Sequence, residues 1–395
     1  MIGIASPTVT VSGRTPILLI GDTLNTGGTE GQFVEIACGL DRSRWDVGVA
    51  CMSAEGPLRG RLEAADLRPW SCGPRSFKSP RFVMAVASLA RYLRRQRVRL
   101  VHTFDFYSNL LGIPAARLAG VPAILASQRD LGNLRSPLQQ RLHRTVLRLA
   151  DRILVNSQAA AARVETYRGL APDRVVLIRN GIDLARFPMS SRPIPTPGRV
   201  TVGTLTNLRR EKGMEDLVRA AAIVHTRYPA VRFVVWGDGP EKRRLEDLIR
   251  SLGLGDVVAL RGRTSAPEAA LRELDIFVLP SLSEASSNAL LEAMASGPAV
   301  VATEVGGNVE MLDGGRAGLL VPPASPSTLA AAILSLAEAP SRSTELAARA
   351  RRRVENEFDR SRMLADLENL YDVMLARRDP THSGSTVRTI ARFAP

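Results

Sequence analysis

The sequence predicts an α/β protein built from two doubly wound domains, each on a parallel sheet. Three observations predict it. At 395 residues the chain exceeds what one hydrophobic core ordinarily serves, so two domains of about 150–200 residues are the natural division. Short β-branched runs recur without alternation, and amphipathic stretches separate them, as strands buried on both faces of a parallel sheet require. The pattern breaks once, in a proline-rich stretch near the middle, and then restarts.

In the first half the runs are Ile17–Ile20, Val47–Cys51, Leu100–Thr103, Ala123–Ala126, Ile153–Val155 and Val175–Ile178. Phe82, Val86, Leu89 and Leu93 fall on one helical stripe while Arg91, Arg94 and Arg95 point away from it, which predicts a helix lying on the sheet. Four prolines between Phe187 and Gly198, without periodicity, predict an interdomain linker over 188–199. The second half repeats the scheme with Val200–Thr204, Phe233–Trp236, Val257–Leu260, Ile276–Leu279, Ala299–Ala302 and Gly318–Val321. The domains expected are 15–187 and 200–359. A closing helical pattern covers 360–376, and the polar residues 377–395 read as a disordered tail. Ligands of such sheets sit beyond the carboxyl ends of the strands, so the two halves are expected to face each other across a cleft that holds the chemistry.

Apolar residues at 45% and charged residues at 23% describe a soluble globular chain. No run of about 18 apolar residues offers a membrane span, and the first residues lack the basic and apolar regions of a signal peptide, so a cytoplasmic protein is expected. Cys38, Cys51 and Cys72 are odd in number and far apart, which fits neither a disulfide framework nor a zinc site and predicts reduced, buried filler. The net charge of +14 is uneven: residues 1–190 hold 26 basic and 14 acidic residues and so carry most of it. Between Leu67 and Phe104 there are nine basic residues and no acidic one. An anionic partner is expected for this half, a membrane surface or an acidic acceptor; a solvated arginine-rich face is the plain alternative.

The most informative stretch runs from Leu279 to Gly297, Leu-Pro-Ser-Leu-Ser-Glu-Ala-Ser-Ser-Asn-Ala-Leu-Leu-Glu-Ala-Met-Ala-Ser-Gly. A buried strand ends, a polar loop follows, and a helix starts with Ser286 or Ser287 as its cap. Glu284 then lies just before a helix N-terminus and Glu292 in the second turn. The free N–H groups of that terminus favour an anion such as a diphosphate, and the two carboxylates suit hydroxyls on either side of it.

This stretch, with Pro298–Glu310 and Gly318–Pro323, resembles the retaining family 4 glycosyltransferases (glycosyl transferases group 1). The resemblance implies two Rossmann-like domains in the glycosyltransferase B arrangement, with the final helix crossing back to the first domain. It implies that Glu284 contacts the transferred sugar, that Glu292 binds the ribose, and that the loop Ala285, Ser286, Ser287 and Asn288 touches a nucleotide-diphosphate sugar. Ala285 stands where the family has glycine. The segment Gly203–Met214 resembles the family's arginine and lysine-glycine pair. Lys212 matches the lysine, and Arg209 replaces the usual arginine, whose position holds Thr204. No Asp-x-Asp motif occurs, so these cations rather than a metal are expected to meet the leaving diphosphate.

In the first half, Gly27 and Gly28 match the family's G-G-x-E turn and are expected at the donor. His102 is the candidate for a histidine that touches the donor sugar, with a core histidine as the alternative. Arg129 and Asp105 are expected on the acceptor side, and Arg263, after the third strand of the second half, at the donor's base. Asn180-Gly181 reads as a hinge turn. The implied function is retaining transfer to a hydroxyl of a lipid-linked or polysaccharide acceptor, with no cofactor, possible work at the inner face of the cytoplasmic membrane, and no nucleic acid. A nucleotide-sugar epimerase is the main alternative, but it needs acid and base groups that only His102 supplies. A nucleic-acid binder is disfavoured because aromatics are only 5% and do not interleave with the basic residues.

Overall fold

The computed structural model describes residues 13–74, 81–189 and 200–377. Arg75, Lys78, nearly all of the expected linker and nearly all of the expected tail lie outside them. The chain divides into two compact units, residues 1–179 with 361–395, and residues 180–360.

In the first unit, β1 (Thr15–Gly21), β2 (Trp45–Cys51), β3 (Trp70–Ser71), β4 (Leu100–Thr103), β5 (Ala123–Gln128), β6 (Arg152–Val155) and β7 (Val175–Leu177) form a parallel sheet in the order β3-β2-β1-β4-β5-β6-β7. Every residue of β4 and β5 is buried, the physical reason these runs do not alternate. The two-residue β3 is too short to leave a pattern in sequence. Among the described residues six α-helices precede the second unit: α1 (Gly28–Gly39), α2 (Arg59–Ala64), α3 (Arg81–Arg95), α4 (Phe106–Ala119), α5 (Pro137–Leu147) and α6 (Gln158–Glu165). Helices α3 to α6 share one core with the sheet through Leu89, Leu111, Leu147 and Val164, while α1 and α2 share the other through Phe33 and Leu62. On α3, Leu89 and Leu93 are buried as expected; Phe82 and Val86 are only partly covered, and Ala85 and Ala90 fill the inner face. Cys51 and Cys72 are buried, Cys38 is half-buried, and all three are free thiols.

In the second unit, β8 (Thr201–Leu205), β9 (Arg232–Trp236), β10 (Val258–Gly262), β11 (Ile276–Leu279), β12 (Ala299–Thr303) and β13 (Leu319–Val321) form a parallel sheet ordered β10-β9-β8-β11-β12-β13. Its helices are α7 (Met214–Arg227), α8 (Lys242–Ser251), α9 (Pro267–Arg272), α10 (Asn288–Ser296), α11 (Gly307–Met311), α12 (Pro326–Ala337) and α13 (Pro340–Glu357). The closing helix α14 (Arg360–Ala376) belongs to the first unit, where Leu367, Leu370 and Tyr371 join the core under α1.

Residues 180–187, expected in the first domain, belong to the second unit. Ile182 and Phe187 pack with Phe277 and Leu290, and Ile182 bridges Asp359. A proline-rich stretch says nothing about which core its flanks join. Among the described residues no helix is long and apolar enough to cross a membrane. Strand order reverses between β1 and β4 and again between β8 and β11, so the loops after these four strands border each unit's ligand-binding crevice.

Candidate active site

The loop after β8 ends in a 3-10 turn, Arg210–Lys212, closed by Gly213 at φ 64°. A Cβ on Gly213 would lie 1.9 Å from the Pro280 carbonyl oxygen, so only glycine lets this loop rest against the loop after β11. The Leu282 N–H donates to the Glu211 carbonyl at 2.8 Å across the same contact. Lys212 Nζ thereby comes to 2.6 Å from Glu284 Oε2, with the side chains only 22% and 11% exposed. The resemblance gave these two residues separate tasks; the structure joins them as an ion pair. The Ser281 hydroxyl donates to the same carboxylate oxygen at 3.1 Å, and Gly307 N–H donates to the Glu284 carbonyl at 3.3 Å. Beneath, Thr303 Oγ1 donates to the Ser281 carbonyl and Asn308 Nδ2 to the Thr303 carbonyl, so a chain of buried hydrogen bonds fixes the loop.

Helix α10 begins at Asn288, and the Ser287 hydroxyl caps it by accepting the Leu290 N–H at 3.2 Å. Glu292 sits partly exposed in the second turn. The side chains of the connecting loop are largely engaged within the unit: Asn288 Oδ1 accepts from Asn180 at 2.8 Å, Ser286 faces the Met311 sulfur, and Ala285 is buried. Arg209 is exposed, immediately precedes the turn that carries Lys212, and makes no ion pair among the described residues. Thr204, in the position of the family's arginine, is fully enclosed. Arg263 is exposed just beyond β10, at the sheet's edge and two strands from β8; no contact ties it to the Lys212–Glu284 pair.

In the first unit the corresponding loops hold a polar cluster. Asp22, after β1, accepts the N–H groups of Tyr107 and Ser108 at the start of α4, and burial still raises its pKa. Asp105 caps the same helix and lies 3.6 Å from Arg135, which also pairs with Asp130. Burial, then the charges of Asp22 and Asp130, push Asp105 up to about 8, outweighing the shared arginine. Arg129 is buried over the Phe104 ring, and burial lowers its pKa to about 10. Gly27 caps α1, and the Glu30 carboxylate fills the space a Cβ there would need, only 2.2 Å away. Gly28 opens the helix.

His102 is a correction. It is fully enclosed, with Nδ1 2.7 Å from the Tyr371 hydroxyl, Nε2 2.8 Å from the Ser127 hydroxyl, and its ring stacked on Phe104. Burial and the Arg129 charge hold its pKa well below the usual histidine range. With both nitrogens taken inside the core, it packs as the core histidine that was the alternative reading. Among the described residues no His, Cys, Asp and Glu side chains group in a way that fits a metal ion.

Residues 26–186 match Glycosyltransferase Family 4, and residues 197–339 match Glycosyl transferases group 1. The chain is 30% identical to an alpha-maltose-1-phosphate synthase of Mycolicibacterium smegmatis over 366 residues, covering 84% of this chain and 92% of the relative. It belongs to the group 1 glycosyltransferases. A D-inositol 3-phosphate glycosyltransferase of Arthrobacter is 32% identical over 262 residues, which cover 60% of this chain and 62% of that relative. The fold of this group 1 chain matches that of Anabaena Alr3699/HepE, solved with UDP-glucose, at a TM-score of 0.79 and 21% identity, covering 91% of this chain and all of the other.

Arg135, Asp22, His143 and Ser281 escaped the sequence reading of this group 1 member. For Arg135 a signal existed: Ser136-Pro137-x-Gln139 is a capping box that begins a helix, which places the preceding residue at the strand ends. His143 carried none. It is buried between Asn109 and Arg135, and burial takes its pKa down to about 3.

Proposed function

We propose that the protein is a retaining, metal-independent glycosyltransferase that moves a sugar from a nucleotide-diphosphate sugar to a hydroxyl of a lipid-linked or growing polysaccharide acceptor at the inner face of the cytoplasmic membrane. The observation that carries the reading is the Lys212–Glu284 pair, set between the loops after β8 and β11 and beside the capped N-terminus of α10. The diphosphate meets the N-terminus of α10, and Lys212 and Arg209 take up the charge that develops as the glycosidic bond breaks. Glu284 orients sugar hydroxyls and Glu292 those of the ribose. The acceptor oxygen attacks from the leaving-group face, and a phosphate oxygen takes its proton, so no protein base is required. Arg129 and Asp105, on the first unit, are assigned to the acceptor.

The test has three readouts. Nucleotide sugars are first screened for a rise in melting temperature, since a ligand of the native state stabilises it. The productive donor is then assayed with excess EDTA, and the product's anomeric configuration is read by NMR. Retention and EDTA-resistant transfer are expected, with Arg209→Ala lowering turnover about 10²-fold and Arg210→Ala far less. Inversion, a requirement for a divalent ion, or donor epimerisation without acceptor would each reject the reading.

A further inference from the structure

The two faces of the first sheet are clothed differently. Helices α1, α2 and α14 carry acidic residues: Glu30 and Glu35, Glu63, and Asp366, Glu368 and Asp372. On the other face α3, α4 and α5 are neighbours in that order and contain no acidic residue, against seven arginines. Of the seven, Arg94 is engaged with the Leu118 carbonyl, Arg117 with Asp151, and Arg144 with Gln140 and the Tyr167 ring. Arg81, Arg91, Arg95 and Arg141 are exposed.

Exposed apolar side chains follow the same division. Every large one found among the described residues of the first unit lies between Val83 and Leu149, on α3, α4, α5 or their ends. Leu134, Leu138 and Leu142 are 73%, 66% and 46% exposed. Leu138 and Leu142 are one turn apart on α5, and Leu134 continues the four-residue spacing before the Ser136 cap. The inner face of α5 is already served by His143 and Leu147, so the core does not need these leucines. With Val83, Met84 and Tyr107 they gather at the N-terminal ends of three adjacent helices. In a parallel sheet wound by helices this is the edge where the strands end, the edge that holds Asp22 and Asp105.

We infer that the α3–α5 face is a docking surface for an anionic bilayer, in which Leu134, Leu138 and Leu142 enter the acyl boundary and the arginines meet the headgroups. Outward leucines flanked by arginines, over three helices without one acid, are the composition of an interfacial element, and arginine stems are long enough to lie along the same apolar surface. Self-association fits less well, because pairing this face with its own copy sets arginines against arginines. For the acceptor's location the inference rests on the proposed function; the docking itself does not depend on transfer.

The full chain is floated with vesicles containing about one-third phosphatidylglycerol and, separately, with phosphatidylcholine vesicles, at roughly 0.1 M and 0.5 M NaCl. Partition onto the anionic vesicles is expected, reduced but not abolished at the higher salt because the apolar part persists. The combined variant Leu134→Ser, Leu138→Ser, Leu142→Ser should lose at least about tenfold in partition and all of the salt-resistant part. Arg91→Gln and Arg141→Gln should each lose about fivefold. Failure of the wild type to float, or wild-type partition by the serine variant, overturns the inference. So does an oligomer that the serine variant dissociates without any change at the vesicle. Nucleotide-dependent thermal stabilisation, measured on the same variant, reports its fold and tests the donor reading separately.

Discussion

With its ammonium 2.6 Å from the Glu284 carboxylate, Lys212 is held before any donor arrives, and in the proposed mechanism Glu284 does two things at once: it orients the sugar and aims the cation. Interacting groups lose their effects non-additively. Lys212→Ala and Glu284→Ala should each lower turnover about 10²-fold, and the double variant should lose little more than either single one. Fully additive losses in a double-mutant cycle would show that the pair does not act as a unit. Glu292→Ala, by contrast, should weaken binding of the bare nucleoside diphosphate, read by calorimetry, while Glu284→Ala leaves it nearly unchanged. His102 marks the limit of reading residues singly. The same residue at a strand end is a ligand or a core group depending on what a helix more than 250 residues later places against it, and Tyr371 occupies that position. His102→Ala strands two buried hydroxyls and opens a cavity, so it should destabilise by about 2–4 kcal/mol. Turnover per folded molecule should stay within about twofold; a large loss of kcat with an unchanged Tm would restore the catalytic role.

At the scale of elements, what places the chemistry is a close approach of two loops, and glycine permits it. Gly213→Ala demands a left-handed backbone from alanine and drives a Cβ into the Pro280 carbonyl, so both loops must shift. A loss of most activity together with a Tm several degrees lower is expected, and near-normal activity with a normal Tm would mean the loops adjust freely. Inner strands such as β4, β5, β11 and β12 were legible in sequence because burial on both faces leaves an unbroken apolar run, and the start of α10 because a serine cap precedes one. The pairing of Lys212 with Glu284 was not legible: 72 residues separate them, and only the sheet order brings β8 beside β11. The polar cluster at the start of α4 was hidden for the same reason, since Asp22 reaches that helix from 86 residues away. The docking stripe on α5 was invisible because apolar residues at helical spacing ordinarily signal a buried face, and sequence alone does not say which way the helix is turned.

At the scale of the molecule, the first unit carries its titratable groups in opposed senses. The folded state keeps His102 neutral, while the unfolded chain takes up a proton near pH 6.5, so stability falls as pH drops below that value. Asp105 acts the other way. Its folded pKa of about 8 lies above the ordinary 3.8, so the stability it contributes is complete below about pH 4 and is lost as pH rises towards 8. Asp105→Asn keeps a capping side chain and removes the titration, so its Tm should gain on the wild type steadily from pH 5 to pH 8. A constant difference would mean that Arg135 keeps Asp105 ionised throughout. The return of α14 to the first unit bears on how the protein is made. Tyr371 meets Trp45 edge-on at 5.6 Å, and Leu367 and Leu370 fill the same core, yet all three are synthesised only after the whole of the second unit. The second unit is one continuous segment, residues 180–360. The usual order of vectorial folding is thereby reversed, the unit begun first being completed second. Proteolysis of nascent chains stalled at increasing lengths should find the second unit protected as soon as it clears the exit tunnel, and the first unit still cleavable until α14 has emerged.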